Sequence, residues 1–209
     1  MPTAPDPDQP APRRRGRPPA GGREAILEAT LDLLRERGVA RLTTREVADR
    51  AGVSEASVYY HYTDKAGLLR AVLAHGVAPL RRISLEGLGA GDARDVMGAL
   101  GREIERFLDL TLPVIMAAQS DRELREDLAA YMKEEGLGPH RGVQALGRFI
   151  AGEQAAGRMR AGTDPHAAAA LLVGACFLRA AQRQIMGKAT RSLPSLDDVV
   201  ATLDDLLET

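Results

Sequence analysis

The sequence predicts an all-α protein, on three observations. Alanine, leucine and arginine dominate, all helix formers, while aromatic residues make up only 3% of the chain, few for an all-β sandwich. Apolar residues recur at helical spacing, with capping residues and glycine stops between the runs. No stretch sustains the apolar–polar alternation of a strand, and there is no internal repeat. A chain of 209 residues is long enough to bury a core without covalent staples, either as one unit or as a small domain joined to a larger one.

Residues 1–22, MPTAPDPDQPAPRRRGRPPAGG, are rich in Pro, Gly, Ala and Arg and show no hydrophobic period; they read as a disordered basic arm. Ile26, Leu27, Ala29, Leu33 and Leu34 then place a first helix near 23–37, ended by Gly38. Thr43 stands as the N-cap of a second helix running to Ala51, with Glu46 positioned to close a capping box. Gly52 ends that helix, Ser54 opens a third through about Tyr60, and Thr63 caps a fourth carrying Leu68, Leu69, Val72 and Leu73. Pro79 marks a bend in or near it. Further helices are expected near 93–111, 114–134, 139–157, 164–186 and 195–207, about nine in all, with breaks at Gly87–Gly91 and Leu137–Gly138. Asp164-Pro165 is a start signal, a capping carboxylate followed by proline at the first helical position, and Ser195 caps the last helix. The expected domains are the arm 1–22, a small three-helix domain 23–75 and a larger helical domain 76–209.

Several functions find no residues to carry them. The single cysteine, Cys176, excludes a disulfide framework and a cysteine-rich metal site, and in an apolar helix it reads as a small buried hydrophobe. The longest apolar run, Ala167–Leu178, has twelve residues, where a membrane span needs about 20. The N-terminus has no apolar signal-peptide core, so a cytoplasmic location is expected. The four histidines, His61, His75, His140 and His166, form neither an HExxH nor an i, i+4 pair. Gly87-Leu-Gly-Ala-Gly91 follows a helix and lacks the last glycine of a dinucleotide-binding turn. No enzyme activity, metal or cofactor is expected.

The charge is unevenly spread. The net charge is −1, yet residues 11–23 carry five arginines and no acid, while residues 81–209 carry 16 basic and 19 acidic side chains. A basic arm ahead of a mildly acidic body suits a polyanion at one end only.

The informative stretch is Leu42–Leu69, LTTREVADRAGVSEASVYYHYTDKAGLL. Two short helices meet at Gly52, which tolerates the positive φ of a sharp turn, and small Ala48 allows close approach. Val47, Val53 and Val58 would bury against Ile26, Leu33, Leu42 and Leu68. This is the spacing of a helix-turn-helix, whose second helix enters a DNA major groove; a two-helix corner in a bundle can share it. The second helix leaves Ser54, Glu55, Ala56, Ser57, Tyr59, Tyr60 and His61 exposed, small, hydroxyl and aromatic groups suited to phosphate and base contacts. Thr43, Thr44 and Ser54 sit at helix N-termini, where free backbone N–H groups favour an anion; Thr43 and Ser54 are also caps.

The segment resembles the TetR family of one-component transcriptional regulators. The family pattern T-x-R-x-[IV]-A-x-x-[AL]-G-V-S-x-[GA]-[ST]-[LV]-Y-x-[HY]-[FY]-x-x-K-x-x-L is met by Thr43, Arg45, Val47, Ala48, Ala51, Gly52, Val53, Ser54, Ala56, Ser57, Val58, Tyr59, His61, Tyr62, Lys65 and Leu68. Ala56 stands where Gly is frequent, Tyr62 where Phe is usual and Ala66 where Glu is common. The resemblance implies that Ser54, Glu55, Ala56, Ser57 and Tyr60 face base edges or the groove wall. It implies that Thr44, Tyr59, His61 and Lys65 clamp phosphates. In the arm, Arg15-Gly16-Arg17-Pro18 resembles the core of an AT-hook, whose arginines, here Arg15 and Arg17, enter a narrow A·T minor groove.

The resemblance further implies a homodimer formed by the last two helices and a C-terminal pocket for a small apolar or amphipathic effector. Small residues at Ala167–Ala170, Gly174, Ala175 and Cys176, with Leu171, Leu172, Leu178, Ile185, Val199, Val200, Leu203 and Leu206, agree with such an interface. Candidate pocket residues are Phe107, Leu108, Leu112, Pro113, Met116, Gln119, Met132, Phe149 and Phe177, adaptable and apolar apart from the orienting amide. The expected function is sequence-specific DNA binding, most simply a repressor on a palindromic operator; an activator of the same family, a sequence-tolerant architectural DNA binder and a helical-bundle enzyme that uses the C-terminal cavity remain open alternatives.

Overall fold

The computed structural model describes residues 22–82, 93–186 and 193–208, and among them the chain forms nine α-helices and one 3-10 turn, with no strand. In order these are α1 (Gly22–Arg37), the 3-10 turn Val39–Arg41, α2 (Thr44–Ala51), α3 (Glu55–Tyr62), α4 (Lys65–Arg82), α5 (Ala93–Ala118), α6 (Arg122–Glu134), α7 (Pro139–Ala155), α8 (Pro165–Met186) and α9 (Leu196–Leu207). Residues 1–21 of the basic arm and the Gly87–Gly91 break lie outside the described residues, while Gly22, expected as the end of the arm, is the first residue of α1.

Most helix starts are where the capping chemistry places them. Ser195 and Asp198 form a full capping box on α9. The Asp164 carboxylate accepts from the His166 and Ala167 N–H groups at 2.8 and 2.9 Å, and those donors hold its pKa below the usual range. Two boundaries differ from the sequence reading. The break expected beside Pro113 is absent: α5 runs through Pro113 to Ala118, and the chain turns at Gln119–Asp121, where Asp121 caps α6 by accepting from Leu124 N–H at 3.1 Å. Proline removes one helical N–H; the Asp109 carbonyl left over is approached instead by Gln184 Nε2 of α8 at 3.5 Å. Burial of Leu112 and Val114 on either side keeps the helix whole. The cap of α4 is Asp64 rather than Thr63: its Oδ1 accepts from Gly67 N–H at 2.7 Å. Thr63 instead closes α3, donating its N–H to Tyr59 O.

Two apolar cores result. The first joins α1–α4 to one end of α5 and to α6, through Ile26, Val47, Val58, Leu68, Val114, Ala118 and Leu128. The second joins α5, α7, α8 and α9, through Met97, Ile104, Leu146, Ile150, Leu172, Cys176 and Leu203. The expected division at 75/76 falls inside continuous α4, and α5 contributes to both cores. Cys176 is fully buried, and desolvation pushes its thiol up to about 12, so almost no nucleophilic thiolate exists at neutral pH.

One close approach fixes a residue type. A Cβ at Gly67 would overlap the carbonyl group of Tyr62, whereas one at Gly152 of α7 would meet nothing within 4 Å. Both are helical glycines, for which alanine is intrinsically favoured by about 1 kcal/mol. Gly152→Ala is therefore expected to raise stability by up to that amount in urea denaturation, and Gly67→Ala to lower it by roughly 1–3 kcal/mol or more.

Candidate nucleic-acid interface

The site is built on α2 and α3. Val47 and Ala48 of α2 and Val58 and Tyr62 of α3 are buried, Val53 partly so, against Ile26, Leu33, Leu42 and Leu68, as the spacing predicts. Between the helices Gly52 adopts φ 67°, ψ 30°, and its N–H returns to the carbonyls of Ala48 and Asp49. A side chain there would be strained whatever the space around it.

The far end of α3 is fixed by a tight turn. Thr63 has φ 63° and ψ −53°, and the Asp64 N–H bonds back to Tyr62 O at 2.6 Å, a γ-turn of the rarer, strained hand. Tyr62 then ties α3 to α1: its hydroxyl donates to the Arg23 carbonyl at 2.8 Å, and the Arg23 guanidinium lies over its ring at 5.6 Å. The usual Phe would pack here without that hydrogen bond. Burial raises the Tyr62 pKa, keeping the phenol protonated as a donor.

The described residues expected to contact DNA come from α2, α3, their caps and the first residue of α4. Thr43 caps α2, accepting from Glu46 N–H at 3.2 Å, while the Glu46 carboxylate takes the Thr43 hydroxyl proton and an ion pair from Arg37 rather than closing the full box. Ser54 caps α3, accepting from Ser57 N–H at 3.2 Å, with the two serine hydroxyls 3.0 Å apart. Thr44 Oγ1 lies 2.8 Å from Glu55 Oε1 and 3.2 Å from the Tyr59 hydroxyl. Glu55 and Ala56 are exposed and Ser57 half-buried; Tyr59 is 50% and Tyr60 80% exposed. His61 is half-buried, edge-on to Tyr60 with ring centres 5.1 Å apart. Lys65 opens α4 just beyond the turn. Arg15 and Arg17 lie outside the described residues.

Two cations not singled out for contact also belong to this domain. Arg35, Arg37 and Arg50 are paired with Asp32, Glu46 and Glu36, whereas Arg41 and Arg45 are exposed with no acidic partner among the described residues. Arg45 is already part of the sequence pattern, but only the pairing of its neighbours distinguishes it.

The expected effector residues are spread across the structure. Leu112 and Phe149 are buried, Leu108 packs against the second core, Met132 against the first, and Phe107 and Pro113 are half-buried. Met116 and Phe177 are 46% exposed, and Gln119 is exposed with its amide donating to Ile115 O. A groove of about 600 Å³ opens elsewhere, between α8 and α9, lined by Leu171, Leu172, Pro194, Val199, Leu203 and Leu206 among others. Leu171, Leu178 and Ile185, seven residues apart on α8, are 63%, 56% and 69% exposed. No cluster of three metal-ligating side chains occurs among the described residues, and none of their helices is long and apolar enough to cross a membrane.

Comparison with known proteins points the same way. Residues 26–72 match the family model of bacterial regulatory proteins, tetR family. The HTH-type transcriptional regulator TtgW of Pseudomonas putida is 30% identical over 128 residues, 61% of this chain and 88% of the relative. SrpR of the same species, also an HTH-type transcriptional regulator, is 30% identical over 128 residues, which span only 55% of its length. The class D tetracycline repressor of Escherichia coli is 36% identical over 67 residues, 31% of its length. The crystal structure of a Rhodococcus sp. chain described as a TetR-family transcriptional regulator superposes with TM-score 0.61 at 25% identity, covering 90% of this chain and 98% of that one. The SmeT–triclosan complex shares the fold, with TM-score 0.66 at 22% identity and coverage of 90% and 92%.

The cap on α3 is open to direct test. Ser54→Ala is expected to cost about 1 kcal/mol in thermal or urea unfolding, whereas Tyr60→Ala, which removes an exposed ring, should change stability by less than about 0.5 kcal/mol.

Proposed function

The chain belongs to the TetR family of bacterial regulatory proteins, and from that premise we propose that it is a cytoplasmic transcriptional repressor that binds a palindromic operator as a homodimer and is released by a small apolar or amphipathic effector. The observation that carries the reading is the form of α3. Eight residues are held by buried Val58 and Tyr62 and by turns at both ends, and with the Ser54 cap they leave Ser54, Glu55, Ala56 and Tyr60 exposed and Ser57 half-buried. A rigidly mounted helix with its first turn exposed is what a major groove accepts. In this reading residues 23–75 are the DNA-binding domain and 76–209 the effector and dimer domain. Thr43, His61 and Lys65 meet phosphates, with the backbone N–H of Thr44 in the first turn of α2 and with Arg41 and Arg45, whereas the Thr44 and Tyr59 hydroxyl protons are engaged at Glu55 and Thr44; Arg15 and Arg17 of the arm enter the flanking minor groove.

A single module buries too little surface for useful specificity at physiological salt. The exposed stripe Leu171, Leu178 and Ile185, with Leu206 across the groove, supports a dimer in which α8 and α9 of two copies form a four-helix bundle. Two α3 helices must then sit about 34 Å apart, one turn of DNA. An effector that prefers a conformation with another spacing releases the operator; one that fits both conformations equally shifts nothing. That effector is expected among Phe107, Leu108, Leu112, Pro113, Met116, Gln119, Met132, Phe149 and Phe177. The triclosan named with the similarly folded SmeT is of the apolar, small-molecule class proposed.

Selection of bound duplexes from a random pool at stated salt tests the whole reading: an inverted repeat should emerge, and equal affinity for random and selected duplexes overturns it. Lys65→Ala should weaken binding to all duplexes alike and lower the slope of log K against log salt by about 1; an unchanged slope removes the phosphate role. Leu178→Glu should yield monomers in sedimentation at micromolar concentration, with helix content unchanged and operator binding lost, because burying an unpaired carboxylate opposes association.

A further inference from the structure

Glu55 is the one acid in the exposed set of α3, at the first helical position, where helix-turn-helix readers approach base edges. Near a polyanion a carboxylate is repelled unless a donor meets it. Its geometry is nonetheless constrained from outside its own helix. Thr44 has one hydroxyl proton; given to Glu55 Oε1 at 2.8 Å, it leaves Thr44 Oγ1 to accept from the Tyr59 hydroxyl at 3.2 Å. The relay runs Tyr59 to Thr44 to Glu55, from α3 across α2 and back to α3. It fixes one carboxylate oxygen and leaves Oε2 without a hydrogen-bond partner among the described residues. Ala56 beside it is small and exposed, so nothing bulky keeps a base edge away.

We propose that Glu55 is a specificity-determining residue that selects a cytosine in each operator half-site by accepting from its exocyclic amino group, with Thr44 and Tyr59 as the positioning residues. The inference rests on the DNA-reading role assigned to α3. In the major groove thymine offers O4 and guanine offers O6 and N7, all acceptors that repel a carboxylate. Adenine offers an amino donor, but its N7 lone pair lies beside it and faces the same anion. Cytosine presents its N4 donor without an adjacent acceptor on its own edge, so it alone rewards a fixed, acceptor-only oxygen.

The test is duplex selection repeated with E55Q, followed by binding measurements with T44V and Y59F. The wild-type consensus should hold a cytosine at one position of each half-site. E55Q should change that position alone, to adenine, because an amide can donate to N7 and accept from N6 together. T44V and Y59F should keep the wild-type melting temperature while lowering the preference for cytosine over adenine there by on the order of tenfold. If E55Q selects the wild-type consensus and only tightens binding to every duplex by one factor, Glu55 is a repulsive charge and the base assignment is overturned. If the wild-type protein itself enriches no duplex, the function proposed above falls, and this inference with it, before any variant is compared.

Discussion

The rest of the molecule depends on holding an eight-residue helix still while leaving most of it bare. A helix of that length has no stability of its own in water, so its order must come from its ends and from one narrow face. Val58 and Tyr62, four positions apart, supply the face. Gly52 and the Ser54 cap supply one end; the γ-turn at Thr63 and the Asp64 cap of α4 supply the other. Gly67 belongs to the same arrangement, because the turn presses the Tyr62 carbonyl against the position where any other residue would carry a Cβ. A strained non-glycine residue persists only where its surroundings over-determine it, and here the surroundings are the bond from Tyr62 to Arg23 and two helix caps.

Much of this was legible in the sequence because it is local chemistry. Caps at Thr43, Ser54, Asp164 and Ser195, the stop at Gly52 and the buried valines Val47 and Val58 all follow from the residue and its neighbours within four positions. Most of what was not legible depends on contacts distant in the chain. Pro113 reads as a helix end, yet α5 continues because Leu112 and Val114 on either side are buried and α8 reaches its spare carbonyl. Thr63 reads as an N-cap because threonine often is one; Asp64 takes the role once the chain has turned. The pairing of Thr44 with Glu55, eleven residues on, carries no sequence period at all. The separate status of Arg41 and Arg45 emerges only when Arg37 and Arg50 are seen to be neutralised.

The effector residues show the same boundary more sharply. Composition identifies adaptable apolar side chains in the middle helices, but which of them face one another is set by how α5, α6, α7 and α8 cross. In this conformation Met132 serves the first core and Phe149 the second, with α5 between them. A cavity drawing on both sets has to form at α5, the helix the two cores share.

That sharing gives the proposed effector response a route from one half to the other. Val114 and Ala118 of α5 and Leu128 of α6 lie in the same apolar cluster as Ile26 of α1 and Val58 of α3. Arg70 and Arg81 of α4 pair with Asp127 in the middle of α6 and Glu135 just past its C-terminus. Surface pairs of this kind contribute little to stability, but two of them spaced along one helix fix its register on α4. Close-packed interiors transmit a displacement rather than absorb it, so α6 cannot shift along α4 without breaking both pairs or carrying α4, and with it the Asp64 turn and the end of α3. For the effector proposed above, the coupling path to α3 would be the shared core itself, with no separate hinge needed between the two halves.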